Sequence, residues 1–115
     1  MVQYIDWMLF SDKKLLLCKK NEQAKYEINK DLIYETDKEY NKIDLEKKLF
    51  IRKTDELYME LNFIEKTCKF DFENEGSCKF DIECGWEEQI DEITLTYNLD
   101  DSEKNVKIIF KKLVI

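Results

Sequence analysis

From Tyr26 to Phe110 apolar and polar residues alternate with a period of two. Met59, Leu61 and Phe63 skip Glu60 and Asn62, and Cys68, Phe70 and Phe72 skip Lys69 and Asp71. Cys78, Phe80, Ile82 and Cys84 skip Lys79, Asp81 and Glu83, and Ile93, Leu95 and Tyr97 skip Thr94 and Thr96. Successive side chains of a strand point to opposite faces, so each run has one apolar and one wet face. The pattern predicts strands near 14–19, 23–28, 31–36, 41–46, 48–53, 57–63, 67–73, 78–84, 92–98 and 105–111. Residues 3–10 fit either a strand, through Ile5, Trp7 and Leu9, or a short helix, through Ile5, Met8 and Leu9.

The chain has no proline and two glycines, so most turns must come from short polar segments. Candidates are Asn29-Lys30-Asp31, Glu46-Lys47-Lys48, Thr54-Asp55-Glu56, Ile64 to Lys66 and Asp100 to Asn105. Asn74-Glu75-Gly76-Ser77 is the strongest hairpin signal, because Gly76 accepts positive φ. Strands this short and evenly spaced mark an all-β domain, and short connections favour antiparallel meander order. Closing the meander into a barrel removes the sheet edges. The expectation is one domain over residues 1–115: an all-β antiparallel barrel of eight to ten strands, with a two-sheet sandwich as the nearest rival. The expected inward set is Ile43, Leu45, Leu61, Phe63, Phe70, Phe72, Phe80, Ile82, Ile93, Leu95 and Ile108. No linker, low-complexity block or clear long-period repeat is read.

The segments Tyr26-Glu27-Ile28-Asn29-Lys30-Asp31-Leu32-Ile33-Tyr34, Asn41-Lys42-Ile43-Asp44-Leu45, Ile51-Arg52-Lys53 and Glu60-Leu61-Asn62-Phe63 follow one another in an order that resembles the YwiB-like bacterial domains of unknown function. The resemblance covers Ala24 to Phe110. It implies a calycin fold, that is, a lipocalin-like barrel, and it brings no established active site. The Gly-x-Trp of lipocalins proper is absent, since Ile5-Asp6 precede Trp7.

Composition narrows the chemistry. There is no histidine, which removes the usual neutral-pH acid/base, the base of a nucleophilic triad and the commonest metal ligand. No glycine-rich phosphate loop and no Gly-x-Ser-x-Gly elbow occurs. Cys18, Cys68, Cys78 and Cys84 lack the two-to-four-residue pairing of structural zinc sites and are expected as thiols; Cys68, Cys78 and Cys84, in phase with Phe70, Phe72, Phe80 and Ile82, read as small core hydrophobes. If the hairpin pairs Phe72 with Phe80, Cys68 lies opposite Cys84 and a disulfide becomes geometrically open. The expectation is a non-enzyme without cofactor or metal.

Acids outnumber bases 26 to 19, for a net charge of -7, which opposes nucleic-acid binding. No apolar run approaches the roughly 20 residues of a membrane helix, and the first residues lack a secretory pattern, so a cytoplasmic protein with no membrane partner is expected.

Two binding roles remain. In one, the barrel holds a small apolar or amphipathic ligand, with Tyr34, Tyr58 and Tyr97 as walls and Arg52, the sole arginine, as an anion anchor. Tyr40, Phe50 and Trp86 are further wall candidates. In the other, the outer surface binds a basic protein through two acidic clusters, Glu87, Glu88, Asp91 and Glu92, and Asp100, Asp101 and Glu103, in the manner of bacterial immunity proteins.

Overall fold

A computed structural model describes residues 1–73, 75–99 and 105–113. It contains ten strands and no helix among those residues: β1 (Val2–Ser11), β2 (Lys14–Glu27), β3 (Asp31–Glu35), β4 (Glu39–Asp44), β5 (Leu49–Thr54), β6 (Leu57–Asn62), β7 (Thr67–Phe72), β8 (Gly76–Glu88), β9 (Glu92–Leu99) and β10 (Asn105–Lys112). Each strand pairs antiparallel with its neighbours in sequence, and β1 pairs with β10 to close a barrel. The meander and the closure match the pattern read from the chain.

The structure decides the alternative left open at the first segment and differs from the reading in the second. Residues 3–10 are strand, with Ile5 and Trp7 buried. Residues 14–19 and 23–28, expected as two strands, belong to the single long β2. The break expected between them is a β-bulge, where the register against β1 shifts between Ile5 and Trp7. Asn21 sits there at φ 56°, a left-handed conformation that asparagine tolerates, and its N–H donates to Asp6 Oδ1 at 2.8 Å. A second shift leaves Leu16 without a partner on β1.

Gly76 takes positive φ, 92°, at the β7–β8 hairpin as its sequence predicts, and the turns described next work without glycine. Asp12 and Lys13 both take positive φ, 51° and 69°, which makes the β1–β2 connection a primed two-residue turn. At the opposite end the β4–β5 and β6–β7 turns share one design. Asp44 Oδ1 accepts the N–H groups of Glu46 and Lys47, and Asn62 Oδ1 those of Ile64 and Glu65. Each closes on a lysine of positive φ, Lys48 or Lys66. The Lys30, Lys48 and Lys66 carbonyls accept the N–H groups of Leu45, Phe63 and Ile82, at 2.8, 3.0 and 3.0 Å, stitching adjacent turns together.

Beneath this rim lies one core. Trp7 stacks on Phe110 at 5.7 Å and tilts against Tyr34 at 6.1 Å, while Phe110 meets Phe50 at 6.0 Å. Ile5, Leu32, Ile43, Leu61, Ile93 and Leu95 fill the space around them, all fully buried. Burying each such side chain contributes about 1.5–3 kcal/mol. Of the expected inward set, Ile43, Leu45, Leu61, Phe63, Ile82, Ile93, Leu95 and Ile108 are buried. Phe70 and Phe80 are half-buried against the core. Phe72 is 40% exposed, because it pairs with Gly76 at the tip of the β7–β8 hairpin, where it stacks only on Phe70.

Wall continuity is uneven. The β2–β3 seam has three pairs, Lys25–Ile33, Tyr26–Leu32 and Glu27–Asp31. On the other side β8 gives residues 76–81 to β7 and residues 82–88 to β9. The molecule is accordingly elongated, 41 × 28 × 27 Å.

Candidate functional site

Register places three of the four expected ligand contacts inside the barrel. Asn41 faces Tyr34 across β3–β4 and Arg52 across β4–β5, so the three share the inner face. Tyr97 pairs with Cys84 and Val106, both packed on the core. Tyr58 does not join them. It pairs with Lys53 and Asp71 on the outer wall, its hydroxyl lies 3.4 Å from Glu60 Oε2, and Lys53 Nζ sits 5.5 Å over its ring. Tyr58 alternates with the buried Met59 and so faces outward, whereas Phe50, a further wall candidate, is the inward residue of β5 and fully buried.

Arg52 is already engaged. Its Nη1 donates to Asn41 Oδ1 at 2.8 Å and its Nη2 lies 3.5 Å from Glu39 Oε2. Asn41 Nδ2 donates to Glu39 Oε1 at 3.1 Å, closing a triangle, and the guanidinium lies 5.5 Å from the Trp7 ring centre. Asn41 is the buried polar residue of the described core, and the carboxylate and aromatic face around Arg52 leave it satisfied without an added anion.

The inner hydroxyls are poor titrating groups. Burial raises the Tyr34 pKa, with Lys19 opposing and Glu22 and Glu39 reinforcing. Burial, with a contribution from Cys68, pushes Tyr97 up to about 12 against the pull of Arg52. The Trp7 N–H lies close enough to the Tyr34 hydroxyl to favour its ionised form, but the geometry falls short of a hydrogen bond and leaves the indole nitrogen without a partner.

The cysteines do not pair. Observed register sets Cys68 against Phe80 and Cys84 against Tyr97, since Phe72 pairs with Gly76 and not with Phe80. All four are free thiols; Cys68 and Cys84 point inward, where burial pushes the Cys68 thiol up to about 12, but Cys78, expected in the core, is exposed because it lies toward the tip of the β7–β8 hairpin. Among the described residues no group of three or more Cys, Asp or Glu side chains is arranged to hold a metal ion.

The first acidic cluster lies around the β8–β9 turn. Glu87, Glu88 and Asp91 are exposed and Glu92 is half-buried, with Glu88 accepting from Trp86 Nε1 at 3.3 Å. Ile90 at the tip is 94% exposed. Asp100, Asp101 and Glu103 lie outside the described residues.

The feature the sequence did not announce is on the outer wall. Residues paired across neighbouring strands share a face, and two rows cross this wall. One runs Leu15, Phe10, Lys107, Thr96, Gly85, and the other runs Cys18, Met8, Ile109, Thr94, Glu87. A hollow of about 840 Å³ opens along it, lined by Phe10, Lys107, Ile109, Thr96 and Gly85 of the outer face and also bordered by Tyr97, Cys84 and Val106. Gly85 leaves room for the Thr96 side chain at the floor: a Cβ there would meet Thr96 Oγ1 at 2.8 Å. Beyond the hollow, Leu15 and Leu16 are 48% and 57% exposed. The signal was present in Met8, Phe10 and Leu15, which lie off the inward phase of β1 and β2.

Comparison of the chain with protein families, with curated proteins and with solved structures finds no match.

Proposed function

We propose that this protein is a non-catalytic binding module that engages another protein through the outer wall formed by β1, β2 and β10. The observation that carries this reading is the contrast between the two faces of one sheet. Inside, Trp7, Phe50 and Phe110 fill the barrel and Arg52 is held by Glu39 and Asn41. Outside, the half-buried Met8, Phe10 and Ile109 and the exposed Leu15 form an apolar stripe beside a hollow of about 840 Å³. Contiguous exposed apolar surface on a small domain marks an interaction site. A solid interior with a neutralised arginine speaks against the small apolar ligand as occupant.

A second reading keeps the basic partner. It rests on Ile90, 94% exposed among Glu87, Glu88 and Asp91, where an apolar contact sits inside an acidic field. Site-specific photo-cross-linking in the native host cell separates the two. A photoreactive phenylalanine at Phe10 is expected to give one discrete protein adduct, and the same group at Tyr58 none. An adduct at Ile90 alone would transfer the function to the acidic turn. Absence of any adduct, with a small molecule co-purifying in equal amount, would return it to the barrel interior.

A further inference from the structure

The long strand β2 is paired on one side only for most of its length. It pairs with β1 from Lys14 to Lys25, whereas its pairing with β3 covers only Lys25, Tyr26 and Glu27. Among the described residues no strand pairs with the other edge of residues 14–23. A strand presents backbone N–H and C=O groups alternately to its two sides, so roughly half of those along this stretch lack a ladder partner. This edge carries the apolar run Leu15-Leu16-Leu17-Cys18, of which Leu15, Leu16 and Cys18 are exposed.

The charges around the run decide what fits. Lys13 and Lys14 precede it and Lys19 and Lys20 follow it, in a chain whose net charge is -7. Lys13, Lys14 and Lys20 are exposed. The nearest acid in sequence, Asp12, has its carboxylate taken up by the Asn105 N–H at 2.9 Å. A second copy of this chain, paired antiparallel about Leu16 and Leu17, would set Lys14 against the partner copy's lysines at both ends. Like charges placed opposite one another in a sheet are destabilising. A strand with an apolar centre and acidic ends meets the apolar run and both lysine pairs together.

Resting on the outer-wall reading, we infer that the partner supplies an extended, acid-flanked segment that adds as a strand to the free edge of β2. Backbone ladder bonds would provide affinity, and the lysines and Leu15 would select the sequence. The added strand continues the wall that Phe10 and Leu15 share, so the same partner covers the apolar stripe.

The test uses the full chain and a capped peptide of about eight residues with a β-branched apolar centre and paired glutamates at each end. Saturable binding is expected, with slowed amide hydrogen exchange confined to residues 14–23. The same peptide with lysine ends is expected to bind about tenfold more weakly, and Lys14→Glu/Lys20→Glu to weaken the glutamate peptide by about the same factor. Both substituted lysines are exposed, so the variant tests charge without threatening the fold. Equal affinity for the two peptides, or no protection over 14–23, would overturn the inference; the second result is what lysines serving only to guard an edge would give. Self-association through 14–23 without peptide would overturn it too, in favour of a second copy. Failure here with the Phe10 cross-link intact removes strand addition and leaves the outer-wall reading standing. Success here with no adduct at Phe10 removes the stripe and keeps the edge.

Discussion

At the scale of single residues, the interior is built to keep its polar groups quiet. Tyr97 and Cys68 have pKa values near 12, and both shifts come first from burial, which disfavours the charged form. In the unfolded chain the same groups ionise near their ordinary values of 10 and 9. Above those values the unfolded state loses protons before the folded state does, so stability falls as pH rises from about 9 toward 12. Thermal or urea unfolding followed across that window is expected to show a plateau up to about pH 9 and then a decline. Tyr97→Phe is expected to make the decline above pH 10 shallower. An unchanged profile in that variant would mean Tyr97 is hydrated in the folded state. Tyr97 was legible from its phase with Ile93 and Leu95, whereas Arg52 stood out as the sole arginine and Tyr34 and Tyr58 only as aromatics, of which Tyr34 lies inside and Tyr58 outside. Sequence reasoning did not find the partners of Arg52. Glu39 and Asn41 look like ordinary polar strand residues until register brings them opposite Arg52 and its neighbours, and that pairing is a long-range fact.

Strands and turns show how the same information was partly hidden. Alternation placed β3 to β7, β9 and β10 closely, but it captured only the middle of β8, which runs from Gly76 to Glu88. It failed on β2, where a bulge lets one strand imitate two, and on Phe72, whose phase is inward but whose position overhangs the core. The design shared by the turns also had a sequence signature. Asp31–Lys48 and Leu49–Lys66 align over eighteen residues, with Ile33/Ile51, Thr36/Thr54, Asp37/Asp55, Tyr40/Tyr58 and Lys48/Lys66 identical. Asp44/Asn62 and Leu45/Phe63 occupy matching places in the two turns that the side-chain oxygens cap. This hairpin repeat is easily overlooked because the few shared residues mark turns and an outer-face isoleucine and tyrosine, not the core. It leads to a test. Lys66 adopts φ 59°, a conformation that costs a residue with a Cβ about 1–2 kcal/mol. Lys66→Gly is expected to stabilise the protein by up to about 1 kcal/mol, and Lys66→Val to destabilise it by a similar amount, both read from urea midpoints. Loss of stability in the glycine variant would show that the Lys66 side chain, not its backbone, holds the turn.

For the molecule as a whole, a ten-stranded closed meander is wide enough to hold a small ligand, and here large side chains occupy that space instead. Trp7, Phe50 and Phe110 fill the middle, and Tyr34 and Tyr97 are held in the wall. Fold class was legible from hydrophobic pattern because burial of one face fixes phase locally. Whether the interior is open depends on ten strands arriving in register with large side chains at the same height, which no local pattern encodes. The free edge of β2 was invisible for the same reason: it depends on where β3 leaves β2, not on either strand's own sequence. The Trp7 indole N–H is buried, has no hydrogen-bond partner and sits beside Arg52, so its resonance reports on the interior directly. Isotope-labelled protein titrated with a long-chain fatty acid provides the decisive measurement. A packed interior with a functional outer wall predicts that the Trp7 N–H signal stays fixed at the highest ligand concentration, with any shifts confined to the neighbourhood of Phe10, Leu16 and Ile109. Saturable movement of the Trp7 signal together with those of Arg52 and Tyr97 would contradict the account and assign the function to the inside of the barrel.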